Sequence, residues 1–121
     1  MTRTYLHAKI HRATVTDANP DYEGSVTIDQ SLLEAADIRP YEAVHIWDVT
    51  NGERIVTYAI PGRPNTGVIA INGGAAHKIV RGDLVVIASF VELSAEESRQ
   101  HKPRKIFVDD ANRIRQTVIE A

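Results

Sequence analysis

The strongest constraint on the fold is a series of short strand-like segments separated by turn-forming residues. Over residues 3–16, polar and apolar side chains alternate with the period of a half-buried strand. Residues 84–91 are almost all apolar, which predicts a central strand. The other strand-like segments are residues 26–28, 43–50, 53–60, 68–71, 105–108 and 114–119. Between two of them, the dipeptide Asn51-Gly52 predicts a two-residue hairpin turn.

Helical signals are few and short. Asp29 is a helix-capping residue, apolar side chains follow it at helical spacing as far as Ala36, and Pro40 disfavours further helix. A second short helix is predicted after Ser94, because Glu97 three residues later completes a capping box. Two helices against six or more strands favour a small barrel over a doubly wound sheet.

The segments between these elements are rich in turn formers. Residues 17–22 and 61–67 predict loops, and residues 72–77 predict a glycine-rich turn that leaves backbone amides accessible to a ligand. No internal repeat or linker divides the sequence. The predicted fold is therefore mainly β, a single domain over residues 1–121 that forms a small β-barrel with a few short helices.

Composition excludes several classes of function. The chain has 43% hydrophobic and 25% charged residues, which is typical of a globular protein and not of a disordered one. Its formal net charge of −2 and its 6% aromatic content do not favour nucleic acid as a partner. It contains no cysteine, so disulfides, thiolate metal sites and thiol nucleophiles are excluded.

The first residues carry ionisable side chains at Arg3, His7 and Lys9, where a signal peptide would have an apolar stretch. The longest apolar run, residues 84–91, is far shorter than the ~20 residues that cross a bilayer. We therefore expect no membrane association and a soluble, cytoplasmic protein.

Single motifs give weak functional signals. The five histidines are scattered and form no metal-ligand pattern, so we predict no metal site; they are His7, His11, His45, His77 and His101. Ser25 lacks the context of an esterase nucleophile, because residue 27 is Thr where that motif has Gly. Taken alone, Gly24-Ser25 is typical of a turn.

Two strand faces carry groups that suit an anionic substrate. Arg54, Val56 and Tyr58 share one face, which places a guanidinium that can grip a carboxylate near a phenol that can carry a proton. The first strand presents Lys9 on a basic face that could hold an anion. The alternatives are a Tyr packed on its neighbours with an Arg at the surface, and a solvated strand face.

Taken together, the motifs closely resemble the aspartate 1-decarboxylase family, the pyruvoyl-dependent enzymes that make β-alanine. The motifs are Lys9-x-His11, Tyr22-Glu23-Gly24-Ser25, Asn51-Gly52-x-Arg54, Thr57-Tyr58 and Asn72-Gly73-x-Ala75-Ala76-His77. They cover nearly the whole chain, and the tail after about residue 103 contributes little. The resemblance implies a double-psi β-barrel and a homotetramer with active sites between neighbouring subunits.

The resemblance also implies self-processing between Gly24 and Ser25, which would give a β chain of residues 1–24 and an α chain of residues 25–121. In the family, the hydroxyl of this serine attacks the preceding carbonyl, the amide becomes an ester, and elimination and hydrolysis leave a covalent pyruvoyl group at Ser25. Thr57 and Asn72 would help to polarise or position that peptide. His11 would support maturation or orientation, unless its role is purely structural.

For turnover, the resemblance implies that the pyruvoyl group forms the Schiff base and that Tyr58 protonates the α-carbon. Lys9 and Arg54 would hold the two carboxylates of L-aspartate, and the amides of the turn, with Thr57, would complete the binding site. The turn amides are those of Gly73, Gly74 and Ala75. A carbonyl cofactor is chemically required, because decarboxylation leaves a carbanion that no ordinary side chain stabilises. No metal and no pyridoxal phosphate are expected.

The chain departs from the family pattern at Gly74, where the family turn has Ala. Backbone amides can serve there in either case, but glycine adds conformational freedom, which leaves the effect on affinity open. The expected product would supply pantothenate and coenzyme A biosynthesis.

The sequence is also compatible with other functions. One is a binding or regulatory β-barrel that keeps the fold but does not cleave itself. Another is a pyruvoyl decarboxylase for a different acidic amino acid, and a nucleic-acid-binding barrel ranks last. The sequence also leaves open whether a partner protein assists maturation.

Overall fold

The computed structural model describes residues 1–120, and over this range the protein is mainly β. The strands are β1 (Thr2–Thr14), β2 (Asp17–Asn19), β3 (Ser25–Asp29), β4 (Ala43–Asp48), β5 (Arg54–Gly62), β6 (Ile69–Asn72), β7 (Leu84–Ser94), β8 (Arg104–Val108) and β9 (Ile114–Ile119). The helices are α1 (Gln30–Ala36), α2 (Ala95–Ser98) and a 3₁₀ helix over Gly73–His77. No helix within residues 1–120 is both long and apolar enough to cross a membrane.

The strands form one sheet in the order β2-β6-β3-β5-β4-β7-β1-β8-β9. β1 and β2 stand six positions apart in this order, a separation of about 29 Å in a flat sheet. Yet only two residues separate them in sequence, so Thr14 and Asp17 lie at most about 11 Å apart. The sheet must therefore curl back on itself, which gives the molecule a barrel-like shape.

Backbone hydrogen bonds show how the chain crosses this gap. The Val15 N–H donates to the Asp83 carbonyl at 2.9 Å, and the Thr16 N–H donates to the Ile69 carbonyl at 2.8 Å. Consecutive residues thus bond to the turn before β7 and to the start of β6. The junction of β1 and β2 connects the two halves of the sheet.

The core lies inside this curl. It is built from β-branched and small residues of the strands and from the buried face of α1, including Ile10, Ile28, Val44, Ile71 and Ile87. The helix begins at an N-cap, as expected, with the Asp29 carboxylate accepting from the Ser31 N–H at 2.8 Å. The capping box at Ser94 and Glu97 is also confirmed.

The predicted strands are all present, including β7 as a central strand between β4 and β1. Two loop boundaries were wrong. Asp17–Asn19 forms the short strand β2, because these residues pair in parallel with β6 despite their turn-forming composition. β5 runs on to Gly62, because Ile28 and Asp29 of β3 pair with Pro61 and Gly62.

The hairpin between β4 and β5 is confirmed, but its predicted two-residue turn is wrong. The strands end at Asp48 and resume at Arg54, so the loop has five residues. The Asp48 carboxylate accepts from the backbone of Thr50 at 2.8 Å and of Asn51 at 3.0 Å, which favours this wider loop. Gly52 supplies the positive φ that it needs.

Two buried carboxyl groups respond oppositely to their surroundings. Burial tends to raise the pKa of Asp29, but the hydrogen bonds that its carboxylate accepts from Ser31, Gly67 and Asn65 outweigh this and lower it. Burial raises the pKa of Asp48, and the neighbouring carboxyl of Asp83 raises it further. One oxygen of Asp48, Oδ2, is buried without a hydrogen-bond partner.

Asparagine substitutions should therefore shift stability in opposite directions. Asp48→Asn should raise the free energy of unfolding at pH 7, because the amide removes a charge that faces Asp83 and keeps an oxygen for the loop. Asp29→Asn should lower it by about 1–3 kcal/mol, because an amide cannot accept all the bonds that both carboxylate oxygens accept. Urea unfolding at pH 7 measures both changes.

The pH dependence follows from the two directions. Asp29 has a lowered pKa, so its contribution is present above its unfolded pKa and is lost as pH falls. Asp48 has a raised pKa, so its contribution is present at low pH and is lost as pH rises through that pKa. The gain in the free energy of unfolding from Asp48→Asn should accordingly shrink as the pH falls. An Asp48→Asn protein that is less stable than the parent at pH 7 would contradict this account.

Candidate active site

Ser25 begins β3 and is almost completely buried, with 4% of its surface exposed. Its hydroxyl donates to the Glu23 carbonyl at 3.4 Å and accepts from the Asn72 side-chain amide at 3.0 Å. The same amide donates to the Thr27 hydroxyl at 3.1 Å. β3 and β6 pair with Ser25 opposite Asn72, so this contact is fixed by strand register.

The peptide before Ser25 packs against the start of the 3₁₀ helix. Gly73 has a φ of +83°, and a Cβ built there would lie 2.6 Å from the Gly24 Cα and 2.8 Å from its nitrogen. Any larger residue at position 73 would push the Gly24 backbone away. Residues 73–77 form a 3₁₀ helix within the turn that the sequence predicted over residues 72–77, and its first residue, Gly73, lies against the Gly24 backbone.

Tyr58 lies beside Ser25. β3 and β5 pair in parallel with Val26 opposite Ala59, so the residues that precede this pair are neighbours about 4.8 Å apart. Val26 and Ala59 are both fully buried in the core, which places Ser25 and Tyr58 together on the opposite face. The Ser25 and Tyr58 side chains thus start from neighbouring positions on one face of the sheet.

Thr57 lies on the other face of β5, as the alternation predicts. It is half-buried and pairs with the core residue Val44. Gly74 and Ala75 follow Gly73 in the 3₁₀ helix. A Cβ at Gly74 would meet no atom within 4 Å, so packing within this chain does not require glycine there.

Arg54 is exposed at the start of β5, on the face of the strand that carries Tyr58. Its guanidinium carbon lies 5.1 Å from the centre of the Trp47 ring, directly across the β4–β5 pair. A cation over an aromatic face is held in place without losing its charge. Trp47 is a contributor that the sequence motifs did not single out. The predicted two-residue turn would place Val49 opposite Arg54, and the wider loop of the structure brings Trp47 there instead.

Lys9 is not close to Ser25 within one chain. Lys9 on β1 pairs with Ala88 on β7, and Ala88 also pairs with His45 on β4. His45 in turn pairs with Val56, which lies between Arg54 and Tyr58 on β5. This row places Lys9 on the same face as Tyr58 but three strands away along the sheet. Ser25 is one strand further on. A single chain therefore does not bring Lys9 to the Ser25 region.

His11 also lies away from Ser25. It packs edge-on against Phe107 of β8 at 5.4 Å between ring centres and borders a cavity of about 400 Å³ with Arg12 and Arg115. Burial lowers the pKa of His11, and the positive charges of Lys9 and Arg12 lower it further. Its Nδ1 is buried without a hydrogen-bond partner.

The described residues offer no cluster for a metal ion, since residues 1–120 contain no suitable group of three His, Asp or Glu side chains. What the Ser25 region offers instead is a buried hydroxyl beside a peptide bond, a neighbouring phenol, and an amide donor. This set suits acyl chemistry at the Gly24 carbonyl and proton transfer nearby.

Comparison with known proteins gives a consistent result. A model of the aspartate decarboxylase family matches residues 1–115. A protein named aspartate 1-decarboxylase from Syntrophus aciditrophicus (strain SB) is 56% identical over 115 residues, covering 95% of this chain and 99% of that protein. Another of the same name, from Syntrophotalea carbinolica (strain DSM 2380 / NBRC 103641 / GraBd1), is 54% identical over 112 residues, covering 93% and 86%. Because these matches span nearly the whole chain, including every residue of the Ser25 region, the chain belongs to the aspartate decarboxylase family.

Proposed function

We propose that this chain cleaves itself between Gly24 and Ser25 and then decarboxylates L-aspartate to β-alanine and CO₂ with a pyruvoyl group made from Ser25. The observation that carries the proposal is the Ser25 hydroxyl, buried at the candidate bond and held by Asn72 at 3.0 Å. Family membership and the names of the two relatives support the same chemistry.

The cleavage balances with water as the only added reactant and ammonia as the by-product. The Ser25 Oγ bonds to the Gly24 carbonyl carbon, the C–N bond breaks, and the hydroxyl proton passes to the nitrogen, so the amide becomes an ester. Loss of the Ser25 α-proton then breaks the Cβ–Oγ bond and frees Gly24 as a carboxylate. Water adds to the Cα of the remaining dehydroalanyl group and ammonia departs. A ketone then stands at the new end of the chain.

The residues present fit such a group. Gly73 leaves room for the Gly24 peptide to approach, since a Cβ there would lie 2.6 Å from the Gly24 Cα. Asn72 fixes the Ser25 hydroxyl and is itself oriented by Thr27. A pyruvoyl group at this position would supply the carbonyl that binds the substrate amine and accepts the electrons left as CO₂ departs.

Tyr58 is the proposed proton donor. Its register position beside Ser25 puts the phenol within reach of a substrate attached there. The amides of Gly73, Gly74 and Ala75 would complete the binding site. We keep Thr57 as a proposed contributor, although its side chain lies on the other face of β5 from Tyr58. A supporting role of His11 in maturation or orientation stays a proposal, although His11 packs against Phe107 and lies away from this site in the single chain.

The carboxylates of aspartate need cations, and here a second copy enters the proposal. Arg54 shares the Tyr58 face and can hold one carboxylate. Lys9 of the same chain is four strands from Ser25 along the sheet. Because both side chains lie on the outer face of a curled sheet, they point in different directions. A site completed by Lys9 of a neighbouring subunit accounts for both cations, in agreement with the proposed homotetramer.

An exposed face supports this assembly. Val56 is 64% exposed on the face of β5 that carries Tyr58. It pairs with His45, and the His45 ring packs on Phe90, which is 37% exposed. Covering such a face is favourable. We further propose that the curled sheet closes as a double-psi barrel, and that the enzyme supplies β-alanine for pantothenate and coenzyme A in the cytoplasm.

Replacing Ser25 by Ala should abolish β-alanine formation from L-aspartate, because the hydroxyl that makes the cofactor is gone. Ser89→Ala is a matched control, since the Ser89 hydroxyl is buried without a partner and lies on β7. Chromatographic assay of β-alanine measures both. Activity in the Ser25→Ala protein, or an inactive parent after full cleavage, would overturn the proposed function.

Replacing Tyr58 by Phe should leave cleavage intact but lower kcat by about 10²–10⁴-fold, the usual contribution of a general acid. Gel electrophoresis reports cleavage, and CO₂ release reports turnover. If the Tyr58→Phe enzyme turns over at the parent rate, another group delivers the proton.

A further inference from the structure

Tyr41 occupies a backbone conformation that tyrosine seldom adopts. Residues 39–42 form a tight turn in which the Glu42 N–H donates to the Arg39 carbonyl at 3.1 Å. Pro40 stands at the second position, and Tyr41 at the third has a φ of +70°. Turns with proline second and a positive φ third normally have Gly or Asn at the third position. A bulky residue there is strained.

The backbone fixes Tyr41 against β5. Its N–H donates to the Ala59 carbonyl at 2.7 Å, and the Ala59 N–H donates to the Glu42 carbonyl at 3.0 Å. These bonds continue the β4–β5 ladder past Ala43, which pairs with Tyr58. The small side chain of Ala43 leaves space across from Tyr58.

The Tyr41 ring stacks beside the Tyr58 ring. Their ring centres are 6.2 Å apart, and the planes are inclined by 25°. This is within the usual range of offset aromatic pairs. Tyr41 is otherwise 76% exposed, so burial in the core of this chain does not explain why a strained position carries an aromatic residue.

We propose that Tyr41 is a positioning residue that holds the Tyr58 phenol in its proton-donating orientation by stacking on it. The left-handed turn directs the Tyr41 ring to this place, and its contact limits the rotamers open to Tyr58. The inference rests on the proposed function, because it assigns Tyr58 the proton transfer. Tyr41 itself touches no reacting atom.

The test compares Tyr41→Asn with Tyr41→Phe. Asparagine suits a positive φ but removes the ring, whereas phenylalanine keeps the ring and loses only the hydroxyl. Tyr41→Asn should cleave fully, keep or raise its Tm, and lose about two- to tenfold in kcat with KM unchanged. Tyr41→Phe should retain the parent kcat. In a Tyr58→Phe background, Tyr41→Asn should have no further effect on kcat.

A readout independent of turnover separates this inference from the proposed function. In protein labelled with ¹³C-tyrosine, the ring signals of Tyr58 should move in Tyr41→Asn and stay near their parent positions in Tyr41→Phe. Three results would overturn the positioning role. The first is Tyr58 signals that do not move in Tyr41→Asn. The others are a kcat loss in Tyr41→Phe equal to that in Tyr41→Asn, and a kcat loss that accompanies a lower Tm. An active Ser25→Ala protein would overturn the proposed function and leave the measured contact standing.

Discussion

The junction of β1 and β2 is the constraint on which the rest of the structure depends. Residues 15 and 16 join strands that are six positions apart in the sheet, and their N–H groups bond to Asp83 and Ile69. The resulting curl brings β2 beside β6 and so frames the start of β3. Ser25 therefore meets Asn72 at a position that register fixes.

Backbone geometry, more than side-chain charge, shapes the candidate site. Gly73 brings the 3₁₀ helix against the Gly24 peptide, and Tyr41 in a strained turn lies against Tyr58. Neither attack on the Gly24 carbonyl nor proton transfer needs a metal ligand or a thiol if the Ser25 hydroxyl and the Tyr58 phenol are held in place. The cations are placed differently: Arg54 lies on Trp47, and Lys9 lies strands away, which is why the proposed site includes a second copy.

Much of this was predictable from the sequence. The strands followed from alternation and apolar runs, and the Asp29 and Ser94 caps followed from local pattern, because these depend on neighbouring residues. The form of the turn between β4 and β5 did not follow from local pattern, because the Asp48 carboxylate holds a wider loop than Asn51-Gly52 favours. The Gly73 contact with Gly24, the Tyr41–Tyr58 stack and the distance of Lys9 from Ser25 depend on pairing between distant segments, which local pattern does not encode. The roles of Ser25, Tyr58 and their neighbours remain predictions.

The most direct test is the intact mass of the purified protein under denaturing conditions, before and after mild heating and borohydride treatment. The account predicts two chains, residues 1–24 and residues 25–121, with the larger one carrying a carbonyl that borohydride reduces in place of its amino terminus. A single chain of 121 residues that persists after heating and after addition of cell extract would contradict self-cleavage at Ser25.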